Sequence, residues 1–222
     1  MAVIDDLASR VRALSARSEQ RVLSAHSEQR VLIGIAGAPG SGKTTLALAV
    51  VARLGGFPVV AHVPMDGFHL ADAELVRLGR RDRMGAPDTF DVDGYAALLR
   101  RIRAGEAVWA PSFERPLEQP IAQAIPVTAQ TRVVVSEGNY LLLPDPQWRA
   151  VREQFDEVWY CREDEDVRLR RLLARHIEFG KPPDVAREWV LRSDEHNASL
   201  IAAHIDSADL VVDLAGVDMR RT

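Results

Sequence analysis

From residue 31 onward, short apolar runs alternate with amphipathic stretches along the chain. The run Val133-Val134-Val135 is apolar on consecutive positions, which is typical of a strand buried on both faces of a parallel sheet. We predict strands at 31–36, 59–63, 132–136, 157–161 and 209–213. We predict helices at about 43–54, 70–79, 92–103, 146–154, 164–178 and 183–205. This alternation indicates a three-layer α/β fold with a central parallel sheet of about five strands.

Two stretches depart from this alternation. At the N-terminus an apolar stripe predicts a helix, and its members are Ile4, Leu7, Val11 and Leu14. A nine-residue segment is then repeated in tandem up to residue 30, which we interpret as an insertion tolerated in a terminal segment. The proline-rich stretch 80–130 predicts irregular structure, which at that length usually carries function or is disordered. We therefore divide the chain into an N-terminal segment 1–30 and a domain 31–222 with an insertion at about 66–130.

The composition excludes several classes of protein. With 28 Lys and Arg against 32 Asp and Glu the net charge is −4, so no overall basic field is available for nucleic acid. The apolar runs are too short for a membrane span, and the acidic N-terminus does not resemble a signal peptide. The single cysteine, Cys161, excludes an intramolecular disulfide. We expect a cytoplasmic protein with neither nucleic acid nor membrane as a partner.

The strongest motif is a phosphate-binding loop between the first strand and the following helix. It fits G-x-x-x-x-G-K-[ST] at every fixed position and is followed by Thr45; its members are Gly37, Ala38, Pro39, Gly40, Ser41, Gly42, Lys43 and Thr44. Backbone N–H groups of such a loop hold the phosphates of ATP, Lys43 reaches the terminal phosphates, and the Thr44 hydroxyl binds Mg²⁺. The motif predicts a P-loop fold but does not separate a kinase from an ATP-driven switch.

Acidic residues follow two of the predicted strands. Asp66 comes after the strand 59–63, where its carboxylate could accept the proton of an attacking hydroxyl group, as a kinase requires. Glu137 follows the strand 132–136 and is a candidate partner of Mg²⁺. Each acid could instead be a structural turn residue that caps local N–H groups.

Six blocks, in order from about residue 31 to 214, resemble the P-loop small-molecule kinases that include uridine kinase, phosphoribulokinase and bacterial pantothenate kinase. The similarity is closest to the pantothenate-kinase-like bacterial nucleoside/nucleotide kinases, which include fructose-transport kinases. The blocks are the phosphate loop, M-D-G-F-H, P-D-T-F-D, A-P-S-F-E-R, S-E-G-N-Y and R-L-x-x-L-L-x-R-H-x-x-F-G.

This resemblance implies roles for several residues. Asp66 is similar to the family's acceptor-side general base, and Glu137 to an acid near magnesium. The implied acceptor-side residues are His69, Asp91, Phe113, Arg115, Asn139 and Tyr140. Phe113 and Glu114 replace a Tyr-Asp pair of the related kinases. Asp91 could instead cap the helix 92–103, and His69 could simply pack.

A helix that begins acidic and ends basic is predicted from residue 164. Arg168, Arg171 and Arg175 lie along one face of it, which could point at phosphates. By resemblance, Arg175 neutralises charge on the transferring phosphoryl group, and the segment at about 168–195 is a helical lid. Glycine and proline at 179–183, beside Lys181, would form its turn.

The sequence therefore predicts a kinase that transfers the γ-phosphoryl group of ATP to a hydroxyl of a small metabolite, with Lys43, Asp66 and Arg175 in the catalytic machinery. Pantothenate, nucleosides and sugars remain open as acceptors. An ATP-binding regulatory switch and an inactive scaffold are the alternatives from other classes. A homodimer is expected by resemblance, although no sequence patch identifies an interface.

Overall fold

A computed structural model describes residues 2–25 and 30–215 of the chain. Within those residues, the main sheet has five parallel strands in the order β2-β5-β1-β6-β7. These strands are β2 (Val60–His62), β5 (Val133–Glu137), β1 (Val31–Ala36), β6 (Glu157–Arg162) and β7 (Leu210–Asp213). All five lie within a residue or two of the predicted ranges. The α/β fold with a central parallel sheet is therefore confirmed.

Helices cover both faces of this sheet. In chain order they are α1 (Ala2–Ala25), α2 (Lys43–Arg53), α3 (Asp72–Arg77), α4 (Val92–Arg103), α5 (Pro146–Arg152), α6 (Glu165–Glu178), α7 (Pro183–Trp189) and α8 (Glu195–Ala202). Side chains alternate between the faces of a strand, so β1 sends Leu32 to one apolar core and Ile33 to the other. One core lies against α1 and α2, and the opposite core lies against α4, α5 and α8.

The stretch 80–130 is more regular than predicted. Besides α4 it contains an antiparallel hairpin of β3 (Val108–Glu114) and β4 (Gln119–Val127), which a 3₁₀ turn at Arg115–Leu117 connects. The expectation of irregular structure was wrong because prolines do not exclude strands at the edge of a sheet, and each strand of a two-stranded sheet has a free edge. Both strands lie against the 3₁₀ turn Met65–Phe68 that follows β2.

The predicted helix 183–205 is not uniform. It runs as α7, a π-helical turn at Val190–Asp194 and then α8, and it ends at Ala202. A π-helical turn inserts a residue into the α-helical ladder and occurs frequently at functional sites. Here the turn places Asp194 and Asn197, both buried, toward the interior.

The predicted N-terminal helix extends from Ala2 to Ala25. Its predicted stripe is confirmed for Ile4, Leu7 and Val11, which are buried in the core shared with α2. Part of the tandem duplication, residues 26–29, lies outside the described residues, so its interpretation stays a prediction. No described helix has both the length and the apolar composition that crossing a bilayer requires.

Candidate active site

The phosphate loop connects β1 to α2 at the carboxyl end of the sheet. Gly40 and Gly42 have φ angles of 78° and 91°, in the left-handed region where side chains are strongly disfavoured. At Gly40 a Cβ atom would also lie 2.8 Å from the backbone oxygen of Arg168. The loop can therefore adopt its curvature and pack against α6 only with glycine at these positions.

Lys43 is the first residue of α2, and its side chain is almost completely buried. Its Nζ donates a hydrogen bond to the carbonyl oxygen of Ala38 at 3.0 Å. An ammonium group has three N–H donors, so two remain for the oxygens of a phosphate. Burial lowers the pKa of Lys43, and the nearby Glu137 carboxylate opposes that shift. A buried cation at a helix N-terminus is a favourable partner for a phosphate group.

Thr44 and Glu137 connect the phosphate loop to the end of β5. The Thr44 hydroxyl donates a 3.0 Å hydrogen bond to Oε1 of Glu137. Burial raises the pKa of Glu137 to about 7, and the negative charge of Asp66 contributes in the same direction. A bound cation would relieve this unfavourable burial of charge.

The same pair fits a magnesium ion that arrives with ATP. Hydroxyl and carboxylate oxygens are the hard ligands that Mg²⁺ prefers, and Mg²⁺ in kinases is usually bound through one or two carboxylates plus substrate phosphates. Within the described residues no cluster of three or more His, Cys, Asp or Glu side chains could hold a metal by itself. Thr44 and Glu137 would therefore share the ion with the nucleotide.

Asp66 lies in the 3₁₀ turn after β2, opposite the hairpin. Its Oδ2 is 3.2 Å from Nη2 of Arg115, at the tip of the hairpin. Gly67 permits this arrangement, because a Cβ atom there would collide with the carbonyl oxygen of Pro111. Glycine is required here by the close approach of the hairpin.

His69 is enclosed by two phenylalanine rings. Its ring centroid lies 4.1 Å from that of Phe90 and 4.7 Å from that of Phe113. Its Nδ1 is 2.7 Å from the carbonyl oxygen of Asp66. Because a carbonyl oxygen can only accept, Nδ1 carries the hydrogen, and the neutral ring then offers Nε2 as an acceptor. Burial lowers the pKa of His69, which favours that neutral form.

Of the three arginines predicted to share one face of α6, only Arg175 faces the cavity described next. Arg168 is buried, where it donates to the carbonyl oxygen of Pro39 and pairs with Glu195 at 2.6 Å. Arg171 is exposed and pairs with Glu163. Arg168 thus supports the phosphate loop through Pro39 and does not line the cavity. Burial and the charge of Arg115 lower the pKa of Arg175.

One cavity of about 270 Å³ brings most of the predicted residues together. Those that line it are Pro39, Gly40, Lys43, Thr44, Asp66, His69, Phe113, Arg115, Glu137, Asn139 and Arg175. Residues from the phosphate loop, the ends of β2 and β5, the hairpin and α6 thus meet in one space. Gly37, Ala38, Ser41, Gly42 and Thr45 belong to the loop and the first turn of α2 but do not themselves line this cavity.

Two predicted acceptor-side residues lie outside this lining. Asp91 is exposed and caps α4, because its Oδ1 accepts from the backbone N–H of Gly94 at 2.9 Å. Tyr140 is fully buried, and its hydroxyl donates to the carbonyl oxygen of Gly85, which does line the cavity. The structure therefore gives Asp91 a capping role and gives Tyr140 a supporting one.

Several lining residues were not assigned to the site from the sequence. They are Arg81, Met84, Gly85, Phe90, Glu118, His176, Phe179, Lys181, Trp189, Asp194 and Asn197. Most of them belong to the insertion or to the predicted lid. The unusual length of the insertion was therefore the sequence feature that could have pointed to further site residues there. Oδ2 of Asp194 also accepts a 2.8 Å hydrogen bond from Nε2 of His176, which connects the π-helical turn to α6.

Comparison with known proteins identifies a family. The profile of the "Phosphoribulokinase / Uridine kinase family" matches residues 32–219. A "putative uridine kinase" of Schizosaccharomyces pombe is 34% identical over 193 residues, which are 82% of each chain. The "Pantothenate kinase" of Limosilactobacillus reuteri is 32% identical over 160 residues, 70% of this chain and 51% of that protein.

A solved structure agrees with these relatives. The "putative fructose transport system kinase" of Silicibacter sp. TM1040 superposes with a TM-score of 0.76 at 34% identity, and the match covers 91% of this chain and 98% of that one. The shared architecture thus extends over nearly the whole chain.

Proposed function

We propose, since the chain belongs to the phosphoribulokinase/uridine kinase family, that it transfers the γ-phosphoryl group of ATP to a hydroxyl group of a small metabolite. The family supports an ATP-dependent kinase, and the site argues for the alcohol acceptor. The observation that carries this step is that Lys43, Thr44 and Asp66 line the same cavity. A phosphate held by the loop would thus share its space with a carboxylate that can orient a hydroxyl group.

In the proposed reaction the acceptor oxygen forms a bond to the γ-phosphorus while the bond to the β-phosphate oxygen breaks and ADP leaves. Asp66 orients the acceptor hydroxyl and takes its proton. Lys43 and Arg175 neutralise negative charge on the phosphoryl oxygens, and Mg²⁺ adds positive charge at the β- and γ-phosphates when it is bound. Arg115 positions Asp66 through their ion pair.

The acceptor and the assembly are further parts of this proposal. Pantothenate-, nucleoside- and sugar-like compounds all remain candidates. Homodimerisation and a cytoplasmic location stay predictions. An ATP-binding switch without kinase turnover remains the alternative, because a phosphate loop alone supports both functions.

The test is a coupled assay of ADP release with Mg-ATP over a panel of pantothenate, nucleosides and sugars. We expect at least one compound to raise ADP release about tenfold or more above the background hydrolysis of ATP. Lys43→Ala should abolish the increase. Arg53→Ala, at the far end of α2 and paired with Asp5 on the surface, is the matched control and should retain it. A flat response across the panel with ATP binding intact would favour the switch.

A further inference from the structure

Two cations at the acceptor side of the cavity share a single carboxylate. Nη2 of Arg81 is 3.1 Å from Oε2 of Glu118, and Nζ of Lys181 is 3.6 Å from Oε1 of the same residue. All three side chains line the cavity that holds Asp66. They come from three distant segments: the turn after α3, the tip of the hairpin and the loop between α6 and α7.

Each of the two cations has a second anchor that does not involve Glu118. Arg81 contacts the Asp72 carboxylate through Nε, and its Nη2 contacts Glu118. Lys181 lies over the ring of Trp189, with Nζ 5.1 Å from the ring centroid. A cation over an indole ring is attracted by the ring electrons. Both positive groups can therefore keep their positions when Glu118 moves away.

Glu118 is the member of this cluster that is best placed to move. It follows the 3₁₀ turn at the tip of the hairpin, and its side chain is 45% exposed. Its φ of 48° lies in the left-handed region, which is uncommon for a residue other than glycine. A rotation of its side chain into solvent would leave Arg81 and Lys181 facing the cavity without a carboxylate between them.

Asp66, which lines the same cavity, cannot replace Glu118 as the partner of the two cations. Asp66 is paired with Arg115, and the proposed function requires its carboxylate for the acceptor hydroxyl. Asp72 contacts Arg81 but does not line the cavity. Among the described residues, Glu118 is thus the one cavity-lining carboxylate that pairs with Arg81 and Lys181, while Asp72 balances part of the charge of Arg81 from outside the lining.

We propose that Arg81 and Lys181 bind an anionic group of the phosphoryl acceptor, a carboxylate or a phosphate, and that Glu118 occupies this anion site until the acceptor binds. The substrate class is therefore an alcohol that carries a negative charge. This inference rests on the proposed kinase function and narrows it, because nucleosides and free sugars carry no such group.

The first experiment measures ADP release with Mg-ATP for matched pairs of compounds that differ in charge. The pairs are pantothenate with panthenol, D-glycerate with glycerol, and D-ribose 5-phosphate with D-ribose. The first two pairs test a carboxylate and the third tests a phosphate. We expect the anionic member of at least one pair to have a kcat/KM about tenfold or more above its neutral partner.

Two other outcomes have distinct meanings. Turnover of neutral members that equals or exceeds that of their anionic partners overturns the anion site but leaves the kinase function intact. No turnover of any compound, nucleosides included, overturns the proposed function and this inference with it.

Substitutions then test the site itself. Lys181→Gln and Arg81→Gln should each raise the KM of the anionic acceptor about tenfold and leave the KM of ATP unchanged. Lys181→Arg keeps the charge and should retain most of the affinity. Arg83→Gln is the matched control, because Arg83 pairs with Asp88 and does not line the cavity. Equal KM values in Lys181→Gln and the parent overturn the assignment.

Glu118→Gln separates the proposed role from a purely structural one. Neutralising the competing carboxylate should lower the KM of an anionic acceptor severalfold and leave that of a neutral one unchanged. If Glu118 only held the lid and the hairpin together, the same substitution would raise the KM. A raised or unchanged KM for the anionic acceptor overturns the proposal.

Discussion

The guanidinium of Arg115 lies 3.2 Å from the carboxylate of Asp66, and this pair joins the hairpin to the carboxyl end of β2. Both side chains are partly exposed, so the pair itself contributes little to stability. The pair matters for geometry, because Arg115 holds the Asp66 carboxylate at the cavity that the phosphate loop also lines. The first prediction tests what that carboxylate does.

Asp66→Asn should lower kcat about 10²- to 10⁴-fold and change ATP affinity by no more than about twofold. The amide keeps the shape of the side chain but cannot take a proton, and ATP binds through the phosphate loop. Steady-state kinetics and equilibrium nucleotide binding measure the two effects. Asp88→Asn, in a carboxylate that pairs with Arg83 outside the cavity, is the control. Unchanged turnover in Asp66→Asn would falsify the role of a general base.

Thr44→Val should raise the Mg²⁺ concentration needed for half-maximal activity about tenfold. Valine keeps the shape of threonine but lacks the hydroxyl that donates to Glu137 and that we place on the ion. Titration of activity with Mg²⁺ at saturating ATP measures this change. Thr44→Ser keeps the hydroxyl and should stay close to the parent; the same Mg²⁺ requirement in all three proteins would remove Thr44 from the metal site.

Asp91→Ala should lower the free energy of unfolding by about 1 kcal/mol and leave the acceptor KM within about twofold of the parent. The reason is that Asp91 caps α4 and does not line the cavity. Denaturant unfolding measures the change in stability, and steady-state kinetics measure the acceptor KM. Asp91→Asn keeps a capping oxygen and should lose less stability. An acceptor KM raised tenfold or more would return Asp91 to the acceptor pocket.

His62→Gln should make the protein less sensitive to acid. Burial lowers the pKa of His62 to about 4 from its ordinary 6.5, so the folded protein binds this proton less tightly than the unfolded chain. The stability that this group contributes is therefore fully present above pH 6.5 and is lost as the pH falls through 4. The lowering of the His62 pKa corresponds to about 3 kcal/mol of folding free energy between these two pH values.

Denaturant unfolding of the parent and the variant between pH 7.5 and about 4 measures this difference. The stability gap between the two proteins should shrink, or reverse in favour of the variant, as the pH falls. His196→Gln, in an exposed histidine of α8, is the control and should follow the parent. A gap that is constant with pH would contradict the burial argument for His62.

Cys161 should be inert to thiol reagents in the native protein. The residue is 1% exposed at the end of β6, its Sγ donates to the carbonyl oxygen of Ser41, and burial raises its pKa to about 11. At neutral pH the reactive thiolate is therefore scarce and shielded. Labelling with a chromogenic disulfide reagent should proceed at least 10²-fold faster in denaturant than in buffer; comparable rates would show that the strand end opens readily.

Much of the fold follows from local pattern. The five strands of the main sheet and most helices are marked by runs of apolar residues or by amphipathic spacing, and both signals depend only on near neighbours in the chain. The hairpin β3–β4 was missed because Pro111, Pro120 and Pro126 usually argue against strands. The prolines are tolerated because β3 and β4 pair only with each other, so each strand keeps one free edge. That arrangement of the sheet cannot be read from the local sequence.

The three arginines of α6 show, within the site, the same contrast between what local sequence predicts and what tertiary structure decides. Their spacing predicts that they lie along one face of the helix. The packing of α6 against the phosphate loop then decides that Arg168 is buried behind the loop, that Arg171 faces solvent and that Arg175 faces the cavity. Spacing within a helix cannot supply the position of that helix relative to its neighbours.

By itself, the sequence determined the phosphate loop, because its eight residues are contiguous and its glycines impose the local backbone conformation. It also determined that acids follow two strands of a parallel sheet. Only the tertiary structure decided which side chains share the cavity. Arg81, Glu118 and Lys181 are far apart in the chain, and they meet because the turn after α3, the hairpin and the loop between α6 and α7 come together at the cavity.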